Sequence, residues 1–163
     1  MIHVVLFNPE IPPNTGNIIR TCMASNSKLH LIKPLGFKLD DTSFKRAGLD
    51  YLKSFNYEVY ENFEDFKERN HPENVYLITR FANQTYSDFD FSNPNKDYYF
   101  VFGSETHGLP ESIHNQYFDT RLRIPMDENA RCLNLSNTVA IIVYEALRQQ
   151  NFPTLSKVNK LEG

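Results

Sequence analysis

The 163-residue chain is predicted to be an α/β protein, a mostly parallel sheet flanked by helices. Short β-branched and aromatic runs, such as His3–Phe7, Leu29–Lys33 and Tyr98–Phe102, alternate with amphipathic or polar stretches of helical length. The opening segments read strand, tight polar loop, helix, strand, a crossover unit that makes its two strands parallel. Hydrophobic residues make up 40% and aromatics 13%, enough to bury a core without disulfides or metal.

Taken in order, His3–Phe7 forms the first strand. Asn8–Asn17 carries Pro9, Pro12 and Pro13, which exclude helix or central strand there. Thr15 or Asn17 then caps a helix whose stripe is Ile18, Ile19, Cys22 and Met23, with Asn26 ending it before the strand Leu29–Lys33. Asp40-Asp41-Thr42 caps a short helix running through Arg46 to Gly48. Tyr57–Tyr60 is a strand. Asn62 caps a helix with Glu64 and Asp65 in its first turn and Phe63 and Phe66 toward the core. Val75–Thr79 and Tyr98–Phe102 are strands either side of a polar loop from Arg80 to Lys96. Asn134-Leu-Ser136-Asn137 caps a final helix with Val139, Ile142, Val143, Ala146 and Leu147 on one face. Ala140 and Ile141 widen that stripe, as in a helix buried within a dimer interface. About five or six strands result. Residues 1–153 form one domain and 154–163 a tail.

Several classes are excluded or weakened. No apolar run reaches the roughly 20 residues that cross a bilayer, and the start lacks a signal-peptide pattern, which predicts a cytoplasmic protein. Cys22 and Cys132 have no metal-ligand spacing and are too few for a disulfide framework. A net charge of −3 argues against nucleic-acid binding through the whole surface. The bases Lys28, Lys33, Lys38, Lys45, Arg46 and Lys53 nevertheless outnumber Asp40, Asp41 and Asp50, either as a solvated face or as a phosphate-contacting patch.

Three loops could carry chemistry. Asn14-Thr-Gly16-Asn17 offers backbone amides at a helix start, with Arg20 on that first turn, but no Walker lysine follows. In Gly103-Ser-Glu105-Thr-His-Gly108-Leu-Pro110 the adjacent Ser, Glu and His do not form a nucleophile elbow. Gly103 instead lets a ligand approach the strand end, Gly108 closes the turn, and Glu105 is a cap or a ligand-orienting carboxylate. Tyr144, on the apolar final helix, has a phenol that needs a partner if buried.

The blocks Pro9–Arg20, Lys45–Tyr51, Phe102–Pro110, Ile124-Pro-Met126 and Asn134–Asn137, in this order, resemble the SPOUT superfamily of S-adenosylmethionine-dependent RNA methyltransferases. They are most similar to its small bacterial members that methylate the ribose 2′-OH of the tRNA wobble nucleotide, cytidine or modified uridine. The resemblance covers Met1 to about Gln150. It implies a carboxy-terminal trefoil knot where periodicity alone suggests an open sheet. It also implies a homodimer with active sites shared between subunits. By position it implies a cofactor pocket of Ile78, Gly103, Ile124, Cys132 and Leu133, substrate contacts at Asn14, Arg46 and Glu105, and catalytic roles for Arg20 and Tyr144, with no metal. Relatives often carry serine at Cys132, so that contact falls to the backbone. The competing classes are an RNA-binding module without catalysis and a nucleotide-binding regulator; a complete Gly103–Pro110 loop together with Arg20 favours the enzyme.

Overall fold

The computed structural model describes residues 1–39 and 55–160. The short helix expected from Asp40 to Arg46 and the bases Lys45, Arg46 and Lys53 lie outside the described residues. Among the described residues six strands form one sheet: β1 (Ile2–Phe7), β2 (Lys28–Ile32), β3 (Tyr57–Tyr60), β4 (Val75–Ile78), β5 (Tyr98–Phe102) and β6 (Arg121–Leu122). Their order is β3-β2-β1-β5-β4-β6, and every pairing is parallel. The helices are α1 (Pro12–Ser25), α2 (Phe63–Asn70), α3 (Glu111–Gln116) and α4 (Leu135–Gln149).

Central β1 and β5 read as continuous apolar runs because both of their faces are covered. Val4 and Leu6 of β1 and Phe100 and Phe102 of β5 face α1 and α4, which meet them with Ile18, Ile19, Cys22, Val139, Ile142 and Val143. On the opposite face Val5, Leu77 and Val101 pack with Phe63 and Phe66 of α2 and Ile113 of α3. All five residues expected on the inner face of the last helix are buried. Ile141 and Tyr144 are not; they remain 36% and 39% exposed.

The start of α1 corrects one expectation. Pro12 and Pro13 lie inside the helix, and Ile11, rather than Thr15 or Asn17, is the N-cap. A helix's first turn has no intrahelical use for its N–H groups, so proline is tolerated there and its fixed φ suits the helix. Arg20 consequently sits in the third turn, on the exposed face, about 9 Å along the axis from Asn14. The other expected boundaries hold closely, while α3 and β6 are elements that the sequence pattern does not predict. Asn26 ends α1 in the left-handed region, at φ 54°. Asn62 caps α2 by accepting from the Asp65 amide at 2.8 Å. Beyond α4, Phe152 and Leu155 pack against the core, and Asn26 donates to Thr154 Oγ1 at 3.3 Å.

Candidate active site at the carboxyl ends of β4, β5 and β6

The loops after β1, β4, β5 and β6 meet at one end of the sheet, where the strand order reverses between β1 and β5. Two loops are locked by crossed carboxylates. Glu105 accepts from the amides of Glu10 and Ile11, which are otherwise unused donors at the start of α1. Glu10 in turn accepts from Thr106 Oγ1 at 2.6 Å. Of the two roles open to Glu105, geometry therefore assigns it the cap. Its negative charge also suits the positive end of α1.

The Gly103–Gly108 turn is closed by reciprocal bonds, Ser104 N to Gly108 O at 3.3 Å and Gly108 N to Ser104 O at 3.1 Å. Gly108 has φ +65°, a conformation that favours glycine. A Cβ on Gly103 would stand 2.4 Å from the Gly108 carbonyl carbon. Gly103 is thus required by the turn folding back upon it, rather than by ligand approach alone.

A further bond ties the starts of the two large helices together: Asn134 Nδ2 donates to Asn14 Oδ1 at 3.0 Å, while Asn134 Oδ1 caps α4 through the Ser136 amide. The exit of β6 is held by the preceding loop, with Arg123 N donating to Gln84 O at 2.9 Å and Tyr86 N to Arg123 O at 3.1 Å.

These loops enclose a cavity of about 570 Å³. Ile78, Phe102, Ile124, Met126 and Leu133 supply its apolar wall, and Asn14, Ser104, Thr106, Asn134 and Thr138 its polar groups. All five residues expected to hold a cofactor, Ile78, Gly103, Ile124, Cys132 and Leu133, come together here, as do Asn14 and Glu105. Cys132 and Leu133 are exposed and form the lip rather than the floor. Arg20 and Tyr144 are not on the wall, and Arg46 lies outside the described residues.

Sequence reasoning missed Arg80, Phe81, His114 and Arg123, which also line the cavity. Arg80 and Phe81 follow β4 after Thr79, and Arg123 directly follows β6; in a parallel sheet the residues just beyond strand carboxyl ends are where ligands sit. That positional signal could have found them. His114 has its imidazole held below its ordinary pKa, first by burial and then by the charge of Arg121. It thus presents a neutral ring to the cavity at physiological pH. Among the described residues no cluster of His, Cys, Asp and Glu could hold a metal ion, and no helix is long and apolar enough to cross a membrane.

Fold and cavity together define an α/β protein with a ligand-sized cavity, walled by clamped loops, at the carboxyl edge of a parallel sheet. More particularly, the chain belongs to the SpoU rRNA Methylase family, which matches residues 1–144, and is thereby an RNA methyltransferase. It is 55% identical over 155 residues to a putative tRNA (cytidine(34)-2′-O)-methyltransferase of Geobacillus stearothermophilus, covering 95% of this chain and 99% of that one. A solved structure concerned with 2-OH methylation of C/U34 on tRNA superposes with a TM-score of 0.86 at 38% identity, over 93% of this chain and 97% of the other. The AdoMet-bound rRNA methyltransferase of Sinorhizobium meliloti gives a TM-score of 0.80 at 25% identity, over 95% of this chain and 57% of that one.

Proposed function

We propose that the protein transfers a methyl group from S-adenosylmethionine to the ribose 2′-OH of the wobble nucleotide of tRNA, cytidine or modified uridine. The observation that carries this reading is the convergence of Ile78, Gly103, Ile124, Cys132 and Leu133, from four separate loops and strand ends, on one cavity. Its volume lies in the range of small-molecule sites, and its mixture of apolar wall and few polar groups suits an adenine ring with a charged tail. Ile78, Ile124 and Leu133 would grip the base, and Asn134 and Thr138 offer hydrogen bonds to the remainder. S-adenosylmethionine, when bound, supplies a methyl group already activated by the adjoining sulfonium charge.

The chain's own residues then have to align a ribose hydroxyl and stabilise it as its proton leaves. Arg20 holds a phosphate or the developing alkoxide; its guanidinium stays protonated and cannot serve as the base. The Tyr144 phenol provides a second hydrogen bond. Asn14 and Arg46 contact the substrate, and Glu105 supports them by fixing the loop above α1.

Neither Arg20 nor Tyr144 reaches the cavity wall of its own chain. A homodimer with shared sites accounts for this, each protomer lending Arg20 and Tyr144 to its partner. The exposed apolar side chains Ile141 and Leu133, beside Tyr144 and Cys132, support such an interface. A trefoil knot, in which the segment after β6 threads the loop between β4 and β5, is supported by the bonds of Arg123 to Gln84 and Tyr86 and of Gln149 and Gln150 to Phe89 and Phe91. The protein is read as a cytoplasmic enzyme, with residues 1–153 as one catalytic domain and 154–163 as a tail.

The test is incubation of purified protein with cellular tRNA and labelled S-adenosylmethionine, followed by nuclease mapping. Label on the ribose of the wobble nucleotide is expected. Cofactor binding without transfer to any RNA would sink the catalytic reading in favour of a binding module.

A further inference from the structure

Two large aromatic side chains escape the core on the β6 side of the sheet: Phe81 is 61% exposed and Phe118 is 60% exposed. They are joined by a continuous series of ring and guanidinium contacts. Arg80 lies over the Phe81 ring, 4.9 Å from its centroid, and His114 meets Phe81 edge-on at 6.1 Å. Arg121 Nη1 is 3.5 Å from His114 Nδ1, and the same guanidinium covers one face of Phe118 at 4.0 Å. The series begins on the cavity wall with Arg80, Phe81 and His114 and runs outward to Phe118. Among the described residues neither Arg80 nor Arg121 forms an ion pair with a carboxylate.

Burying a phenylalanine side chain is favourable, so two left in water beside two arginines that have no acidic partners among the described residues need a reason. The arrangement pairs π-faces, which attract bases of any sequence, with planar cations, which attract phosphate and also stack. We propose that Phe81 and Phe118, with Arg80 and Arg121, form a stacking strip for unpaired RNA bases next to the nucleotide that enters the cavity. This rests on the reading of the cavity as an RNA ribose methylation site, and adds to it how the surrounding loop is gripped. Charge complementarity and continuity with the cavity favour RNA over an acid-free protein surface. The strip takes single strands because in a duplex the base faces are already stacked. A neutral His114 fits between the two arginines without adding like charge.

The experiment measures binding by fluorescence anisotropy of a short unpaired oligoribonucleotide and of a paired duplex of the same length. Variants are Phe118→Ala, Phe118→Leu, Phe118→Trp and Phe81→Ala, with far-UV circular dichroism as the check on folding. The unpaired RNA is expected to bind about 5- to 150-fold more weakly to Phe118→Ala, the fold-change equivalent to one lost base stack. Phe118→Leu falls with the alanine variant and Phe118→Trp retains affinity, which separates stacking from mere apolar contact. Duplex affinity stays put, and so does S-adenosylmethionine affinity in Phe118→Ala by calorimetry, since Phe118 is off the cavity wall. Unaltered RNA affinity in both alanine variants overturns the strip. So does a drop in oligomer mass on sedimentation of Phe118→Ala, which makes the surface a contact between copies. A wild-type protein that binds single strands through these rings yet methylates no RNA keeps the strip and removes the ribose-methylation reading.

Discussion

Replacing His30 tests the buried polar chain beneath the sheet. His30 lies within the core on β2, 4% exposed, between two partners. Its Nε2 is 2.9 Å from His3 Nδ1 and its Nδ1 is 2.8 Å from the Tyr60 hydroxyl. At one end of the chain His3 Nε2 is 3.2 Å from Asp97 Oδ1; at the other, Asn70 Nδ2 donates to Tyr60 at 3.0 Å. Burial holds both imidazoles below their ordinary pKa and so favours their neutral forms. With both rings neutral, one assignment of protons satisfies every link: the Asp97 carboxylate accepts from His3 Nε2–H, His3 Nδ1 accepts from His30 Nε2–H, and His30 Nδ1 accepts from Tyr60.

Burial, with smaller contributions from His3, Lys28 and Arg69, takes the His30 pKa from 6.5 to about 3. In the unfolded chain the ring picks up its proton near 6.5; in the fold it resists until far lower pH. Stability therefore rises with pH across the interval from about 3 to 6.5, and is fully present only above it. Lowering pH from 7 to 5 should cost about 2 kcal/mol from this residue, 1.36 kcal/mol for each unit below 6.5. The assay is equilibrium urea unfolding by far-UV circular dichroism at pH 7 and pH 5, at one fixed protein concentration. His30→Phe is expected to be less stable at pH 7, because it strands the Tyr60 hydroxyl and His3 Nδ1. Between the two pH values it should lose about 2 kcal/mol less than the native protein. Equal losses in both would refute the assignment of a neutral, desolvated His30.

Other consequences are more local. Glu105→Ala removes the acceptor for the Glu10 and Ile11 amides and should cost about 1 kcal/mol, read as a melting-point drop of about 2–4 °C; an unchanged melting point would mean water replaces the cap fully. Gly103→Ala drives a Cβ to 2.4 Å from the Gly108 backbone, so S-adenosylmethionine affinity by calorimetry should fall at least about tenfold with the circular dichroism spectrum retained. Affinity within twofold of native would show that the turn is not part of the pocket. Arg20→Ala should slow methyl transfer by about 100-fold or more while leaving cofactor affinity intact. Equal turnover in variant and native protein takes Arg20 out of the mechanism.

The sequence alone determined the parallel α/β class, the limits of most elements and the inner face of α4. Each of these depends on local patterning: β-branched runs, caps such as Asn62 and Asn134, and the three-to-four spacing of Val139, Ile142, Val143, Ala146 and Leu147. Residues expected on the cavity wall were legible only through resemblance, since Ile78 and Leu133 are 55 positions apart and no periodicity links them. Pro12 and Pro13 misled the boundary of α1 because proline's cost depends on which turn it occupies, and that turn is set by the capping of Ile11 from Glu105, 94 residues away. Only the tertiary structure decided that Glu105 is a cap, that Gly103 makes room for Gly108, that His3, His30 and Tyr60 join in one chain, and that Phe81 and Phe118 share a surface. Each is a meeting of groups from different loops or strands. Such meetings are fixed by strand order and loop closure, which are properties of the folded chain rather than of any window of sequence.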